Sequence, residues 1–304
     1  MLSSPSRLML LSTKPVFVEN SENMYTLLLL FCIATLILLA FDLLIVLLSY
    51  SICWYEYSNA DPSLIEKRFT FKSLKLSFAL IFPEVFFNFV TLAIIPLGMF
   101  SKKNPLLQRG ETPVLLLHGL FDNQASWFWF KRKLKHQGFS NVITINLSSW
   151  HSEEVLTELL AKRIDELRHQ LGVNKVHLVG HSMGGIIARN FIQLRGGQDK
   201  VDRLVCLGSP HHGSKLATFS VAPLGKLLVP GSDFLQRLNA APAPAGVSLT
   251  NIYTCKDNMV LPNANTHLPW GEAVPLDGMG HTSLIYRQPA IDATASALKK
   301  SSDR

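Results

Sequence analysis

Val176-His177-Leu178-Val179-Gly180-His181-Ser182-Met183-Gly184-Gly185 is the stretch on which the fold of this 304-residue chain turns. Its apolar beginning reads as a strand. The next residues, Ile186-Ile187-Ala188-Arg189-Asn190-Phe191, read as a helix. Between them lies G-x-S-x-G, the pattern of a nucleophile elbow, which requires this strand–turn–helix setting. Gly180 and Gly184 predict a sharp turn with a strained serine at its tip. The Ser182 hydroxyl then stands above the sheet, where a histidine can reach it.

A serine hydroxyl is a poor nucleophile until a neutral imidazole takes its proton. The imidazole in turn needs a carboxylate on its other nitrogen. With such an elbow the chain order is serine, acid, histidine. Downstream of Ser182, the β-like run Val247 to Tyr253 ends in the polar loop Thr254-Cys255-Lys256-Asp257-Asn258. A shorter run, Ala273-Val274-Pro275-Leu276, leads to Asp277-Gly278-Met279-Gly280-His281. His281 is the candidate base, and Gly280 before it suits a tight turn. Asp257 is the preferred acid. Asp277 is the alternative carboxylate, but it lies in the histidine's own loop and reads as a turn residue.

A negative oxygen developing on a substrate needs two backbone N–H donors. One belongs to the residue after the nucleophile, Met183. The other is assigned to Leu120, in the loop His118-Gly119-Leu120-Phe121-Asp122-Asn123 that comes after the strand-like run Pro113 to Leu117. Gly119 permits close backbone approach, and His118 reads as a structural brace of this loop.

Four motifs in this order, Pro113 to Leu120, Gly180 to Gly185, Gly208-Ser209-Pro210-His211-His212-Gly213-Ser214, and Gly278 to His281, resemble the α/β-hydrolase superfamily. Within it they look like small bacterial serine lipases and esterases. The resemblance runs from about Pro113 to the C-terminus. It implies Ser182 as nucleophile, Asp257 as acid, His281 as base, and Leu120 and Met183 as amide donors. No cofactor is expected, and no metal either, since no metal-ligand spacing is seen and the adjacent His211 and His212 suit one ion poorly. Two clear strands do not precede Pro113, so the sheet is expected to lack the family's first hairpin.

Around these motifs, strand and helix patterns alternate, which implies an α/β fold with a mostly parallel sheet and catalytic groups at its carboxyl edge. Asn141 to Leu147 reads as a strand. Ser152 to Leu171 reads as a helix, with Leu156, Leu160, Ile164, Leu167 and Leu171 on one face and Ser152 as cap. Residues 209–246 are too long for a plain connection and are read as a small cap over the site. Trp127-Phe128-Trp129-Phe130 is read chiefly as helix packing.

The N-terminal region differs in kind. Charged residues are 17% of the chain, below the roughly 25% usual for soluble domains. The apolar excess gathers before residue 112. From Tyr25 to Tyr50 the only acidic residue is Asp42, enough for a retained membrane span rather than a cleaved signal. Leu76 to Phe100 is long enough for a second span, although Pro83, Glu84 and Asn88 make it costlier; an interfacial helix is the alternative. Asp42 and Glu84 are read as lying near an interface or pairing within a helical hairpin. Lys67, Arg68, Lys72 and Lys75 between the stretches nearly balance Arg7, Lys14, Lys102, Lys103 and Arg109 outside them, so charge does not orient the chain. These features predict an anchoring region over 1–111 and a catalytic domain over 112–304. Because the apolar stretches end before Pro113, the core is not expected to need them.

The net charge of +7 comes without a lysine-rich, aromatic-interleaved tract, so membrane lipids are the expected partners and nucleic acid is not. Four cysteines at these positions give no disulfide framework. The combined expectation is an integral membrane protein of a bacterial inner membrane that cleaves ester or lipid substrates. Acyl transfer or amide hydrolysis by the same groups is the alternative chemistry, and a non-catalytic adaptor on the same fold is the alternative class.

Overall fold

The computed structural model describes residues 16–66, 69–100 and 107–300. Of the basic residues weighed for orientation, Arg7, Lys14, Lys67, Arg68, Lys102 and Lys103 lie outside the described residues. Two long helices come first, α1 (Val16–Ala60) and α3 (Phe71–Met99), with one short turn, α2 (Ser63–Glu66), between them.

Six strands then form one sheet in the order β2-β1-β3-β4-β5-β6, every pairing parallel. They are β1 (Val114–Leu117), β2 (Val142–Ile145), β3 (Val176–His181), β4 (Val201–Leu207), β5 (Ser248–Thr254) and β6 (Glu272–Leu276). The helices α4 (Phe128–His136), α5 (Glu153–Leu171), α6 (Met183–Leu194) and α9 (Gln288–Lys299) cross over between or after them. The α/β reading and the all-parallel sheet agree. β1 lies between β2 and β3, so the chain reverses its winding there, and crevices at such a switch point hold ligands.

β1 is buried along its whole length because both of its faces are covered. Successive side chains point to opposite faces. Leu115 and Leu117 join a cluster with α5, α6 and the segment after β4, while Val114 and Leu116 join another with α4 and α9. On α5 the five predicted residues Leu156, Leu160, Ile164, Leu167 and Leu171 are all buried. Ser152 caps that helix by accepting from the Val155 N–H, and Gly172 ends it in the left-handed region. Trp127-Phe128-Trp129-Phe130 divides: Trp127 and Phe130 are buried and stack edge to face, whereas Phe128 and Trp129 are exposed.

Residues 209–246 carry α7 (Pro223–Lys226) and α8 (Asp233–Ala240). Phe234, Leu235 and Leu238 of α8 share the core cluster of α6. Arg189 of α6, fully buried, binds α8 with neutral acceptors only, Asn239 Oδ1 at 3.1 Å and the Leu238 carbonyl at 3.4 Å. α7 reaches the other way: a β-carbon on Gly225 would stand 3.0 Å from Leu120.

The chain divides into two compact units at Leu43 and Leu44, not near residue 111. In the first unit, the described helix exposes Leu27 to Phe31, Leu36, Ile37 and Phe41. In the second, the later half of α1 and all of α3 belong with the sheet. The later half of α1 and α3 thus touch the loops of the sheet. The physical reason lies in one polar stripe on each helix. Ser49, Cys53 and Tyr57 of α1 bond to the loop after β5. Glu84, Asn88 and Thr91 of α3 bond to residues 282–286.

Candidate active site

The elbow is built by close approach. Ser182 carries φ 53° and ψ −123°, a strained conformation for a residue with a side chain. The glycines around it do not carry positive φ; they are needed for space. A β-carbon on Gly180 would stand 2.3 Å from the Gly185 nitrogen, and one on Gly184 would stand 2.3 Å from the Leu117 carbonyl oxygen. Helix α6 thus presses on β1 and β3, and the strain falls on the serine itself.

Beside it, the loop after β1 adopts its own strained residue, Phe121 at φ 61°. The Phe121 N–H donates to Ser149 Oγ at 2.8 Å. A β-carbon on Gly119 would stand 3.2 Å from the Ser182 Cβ, so this loop lies directly on the elbow and brings Leu120 to it. His118 braces the loop as predicted. Its Nε2 accepts from the Leu147 N–H at 2.9 Å, which leaves Nδ1 to donate to the Gly119 carbonyl at 2.9 Å. Burial pushes His118 down to about 4, so it is neutral at physiological pH.

Asp257 and His281 are brought together by the ends of β5 and β6. Asp257 Oδ2 meets His281 Nδ1 at 2.8 Å, and the carboxylate is fully buried. Its Oδ1 accepts from the N–H groups of Met259 and Val260, each at 2.8 Å. Asp277, by contrast, is exposed. Burial pulls the His281 imidazole down. The Asp257 charge and hydrogen bond, with the Glu84 charge beyond them, prevail and hold it above the ordinary histidine value.

Several residues that shape this site went unassigned in the sequence. Gly208, at φ +55°, leaves the Asp–His pair its room: a β-carbon there would stand 3.2 Å from Asp257 Oδ2 and 3.3 Å from His281 Nδ1. His181 bonds the His281 carbonyl through Nε2 at 3.2 Å, with the two rings 4.6 Å apart. Burial, reinforced by His281, keeps its imidazole neutral. Asn258 Oδ1 accepts from the His281 N–H at 3.1 Å, while its Nδ2 donates to Ser49 Oγ of α1 at 2.7 Å. Gly280 is needed for space and not for a left-handed turn; Gly278, two residues earlier, supplies the positive φ of 68°. The position of Gly208 at a strand end was a usable signal. The partnership of Asn258 with Ser49, 209 positions apart, had none.

Residues 112–252 match the family profile of the α/β hydrolase fold. The chain is 34% identical over 110 residues to a triacylglycerol lipase of Pseudomonas fragi, covering 34% of this chain and 36% of that protein. It is 31% identical over 152 residues to a triacylglycerol lipase of Vibrio cholerae, covering 44% and 48%. The chain thus spans under half the length of these relatives. Among solved structures, lipase B of Aspergillus fumigatus superposes with a TM-score of 0.57 at 17% identity, over 66% of this chain and 55% of that one. The phospholipase PlaB of Legionella pneumophila does so with 0.52 at 16% identity, over 63% and 60%. Sheet order, elbow and family profile agree, and the chain has the α/β-hydrolase fold.

Proposed function

We propose that this chain is a membrane-held serine hydrolase that cleaves carboxylic esters with apolar acyl groups, lipids among them. The observation that carries the reading is the buried Asp257–His281 pair beside a strained serine elbow. Asp257 occupies Nδ1 of His281 and so directs the ring's other nitrogen, Nε2, toward proton transfer. In this reading His281 Nε2 removes the Ser182 proton as Oγ attacks the ester carbonyl. The backbone N–H groups of Leu120 and Met183 receive the oxyanion. His281 then gives the proton to the leaving alcohol, and water repeats the two steps on the acyl-serine. The similarity to triacylglycerol lipases supports an ester of long apolar acyl chains as substrate.

The membrane reading rests on α1. Both α1 and α3 are long and apolar enough to cross a bilayer. In α3, however, residues 84 to 98 pack on the hydrolase, which leaves 71–83, roughly 20 Å of helix, too short to span. In α1, residues 23–41 precede the first buried residue, Asp42, and supply roughly 28 Å, close to the thickness of a hydrocarbon core. We therefore assign one span to α1. α3 lies at the interface, with Phe78, Phe82 and Phe86 turned outward.

A fluorophosphonate probe tests the chemistry. The full chain in detergent should be labelled covalently at Ser182 and should hydrolyse p-nitrophenyl esters. Failure of both would refute the hydrolase reading. Release of the full chain from membranes by high salt or alkaline washing would refute the span, because apolar insertion is not screened as charge attraction is.

A further inference from the structure

Glu84 is a fully buried carboxylate in a helix whose neighbours are Phe82, Val85, Phe86 and Phe87. Burying such a charge is costly unless hydrogen bonds replace the lost water, and a leucine would fill the place more cheaply. The side chain is met by three donors, all from the two residues immediately after His281. Oε1 accepts from the Thr282 N–H at 2.5 Å. Oε2 accepts from the Ser283 N–H at 3.1 Å and from Ser283 Oγ at 2.6 Å. Asn88, one turn on, receives the Thr282 hydroxyl. The residue before His281 yields to the same group: a β-carbon on Gly280 would stand 2.5 Å from both Glu84 Oε2 and the Tyr50 hydroxyl. The His281 loop is thus seated on a carboxylate from the apolar helix, residue by residue from 280 to 283.

We propose that Glu84 is a positioning residue of the active site, a second carboxylate that holds the His281 loop against the elbow from behind. The inference rests on the ester-hydrolase reading. Asp257 fixes the ring through Nδ1, and Glu84 fixes the backbone that carries the ring. Burial pushes the Glu84 carboxyl above the usual carboxylate range, while its three donors and His281 favour the ionised form, which places a negative charge behind the imidazole. The ionisable groups facing His281 are Asp257 from the acid loop, His181 from the elbow, Glu84 from α3 and Tyr50 from α1. Among them only Glu84 and Asp257 favour the imidazolium by charge.

The test uses the full chain in detergent with a short soluble ester. Glu84→Ala should lower kcat at least tenfold with KM nearly unchanged, because the binding surface is untouched while the base is displaced. Glu84→Asp, which keeps the charge, should recover part of that loss. Glu84→Gln keeps the volume and removes the charge, so the acid limb of kcat/KM should move to lower pH; a group that merely filled space would leave the limb in place. Should these variants fail to fold, Ser283→Ala deletes a single donor, and a loss of kcat of about two- to fivefold is expected. A folded Glu84→Gln with wild-type kcat and an unmoved acid limb overturns the proposal, as does Ser283→Ala with wild-type kcat. Labelling of wild-type Ser182 by a fluorophosphonate separates the two failures: if it is absent, the hydrolase reading falls first; if it is present, these outcomes bear on Glu84 alone.

Discussion

The elbow and the two loops facing it are held in opposite ways. Ser182 is fixed from within, by glycines that let α6 touch β1 and β3, all contributed by residues 114–194. Asp257 and His281 are fixed from outside, by Ser49, Cys53 and Tyr57 of α1 and by Glu84 and Asn88 of α3. α3 also reaches the loop after β1, where Asn123 Nδ2 donates to the Ile95 carbonyl at 2.7 Å and Gln124 Nε2 to that of Gly98 at 2.9 Å. The Ser182 elbow is therefore a property of the sheet. The Asp257–His281 pair is a property of the sheet plus its apolar helices, which touch the loops that carry both residues.

The largest effect expected lies on the inner side of this comparison. Ser182→Ala should abolish ester turnover and leave the thermal transition nearly unchanged, since a single hydroxyl is lost. More than a few per cent of residual activity in a clean preparation would remove Ser182 from its role. On the outer side, Asp257→Asn should lower kcat by about 10³–10⁴, through loss of imidazole orientation and charge. Asp277→Asn, at an exposed carboxylate, should change it by less than about twofold. A reversal of the two would move the acid to the other loop.

The comparison is sharpened by cutting the chain at two places. A form lacking residues 1–43 keeps the polar stripes of both helices and should hydrolyse a short soluble ester at a rate near that of the full chain. A form beginning near residue 102 loses those stripes, and its rate should fall more than tenfold even where circular dichroism shows a folded sheet. Equal rates for the two would mean that the core stands without its helices. The smallest effect concerns pH. His281 must be neutral to accept the serine proton, and it is held above the ordinary value of about 6.5. Activity should therefore fall as pH drops through a limb above that value. A limb below it would contradict the balance of charges around the ring.

The sequence was legible where a function depends on neighbours in the chain. Gly180 to Gly185, the α5 face and the order of Ser182, Asp257 and His281 are local patterns, and each element formed where its pattern lay. Asp257 was preferred to Asp277 because Asp277 lies in the histidine's own loop, four residues before it. The helices were legible only as apolar. Their hydrophobic run announces a membrane, and the few polar residues within it read as costs. Glu84 in particular reads as a liability of a span until its three donors, about 200 positions away, are seen. Even the glycines were half read: a glycine suggests a turn, but Gly180, Gly184 and Gly280 are present because another atom occupies the place of the β-carbon.

Gly280 carries that last point further. A methyl group there would collide at once with Glu84 Oε2 and with the Tyr50 hydroxyl, each 2.5 Å away. Positions 50, 84 and 280 come from three separate stretches of the sequence, yet the first two limit what can stand at the third. A Gly280→Ala protein must therefore displace both the Glu84 carboxylate and the Tyr50 hydroxyl, and its lost ester turnover should return only through second-site changes that clear both positions. The apolar helices and residue 280 thus form one fitted unit, and helices grafted from another chain should pack here only where they leave the Gly280 site its room.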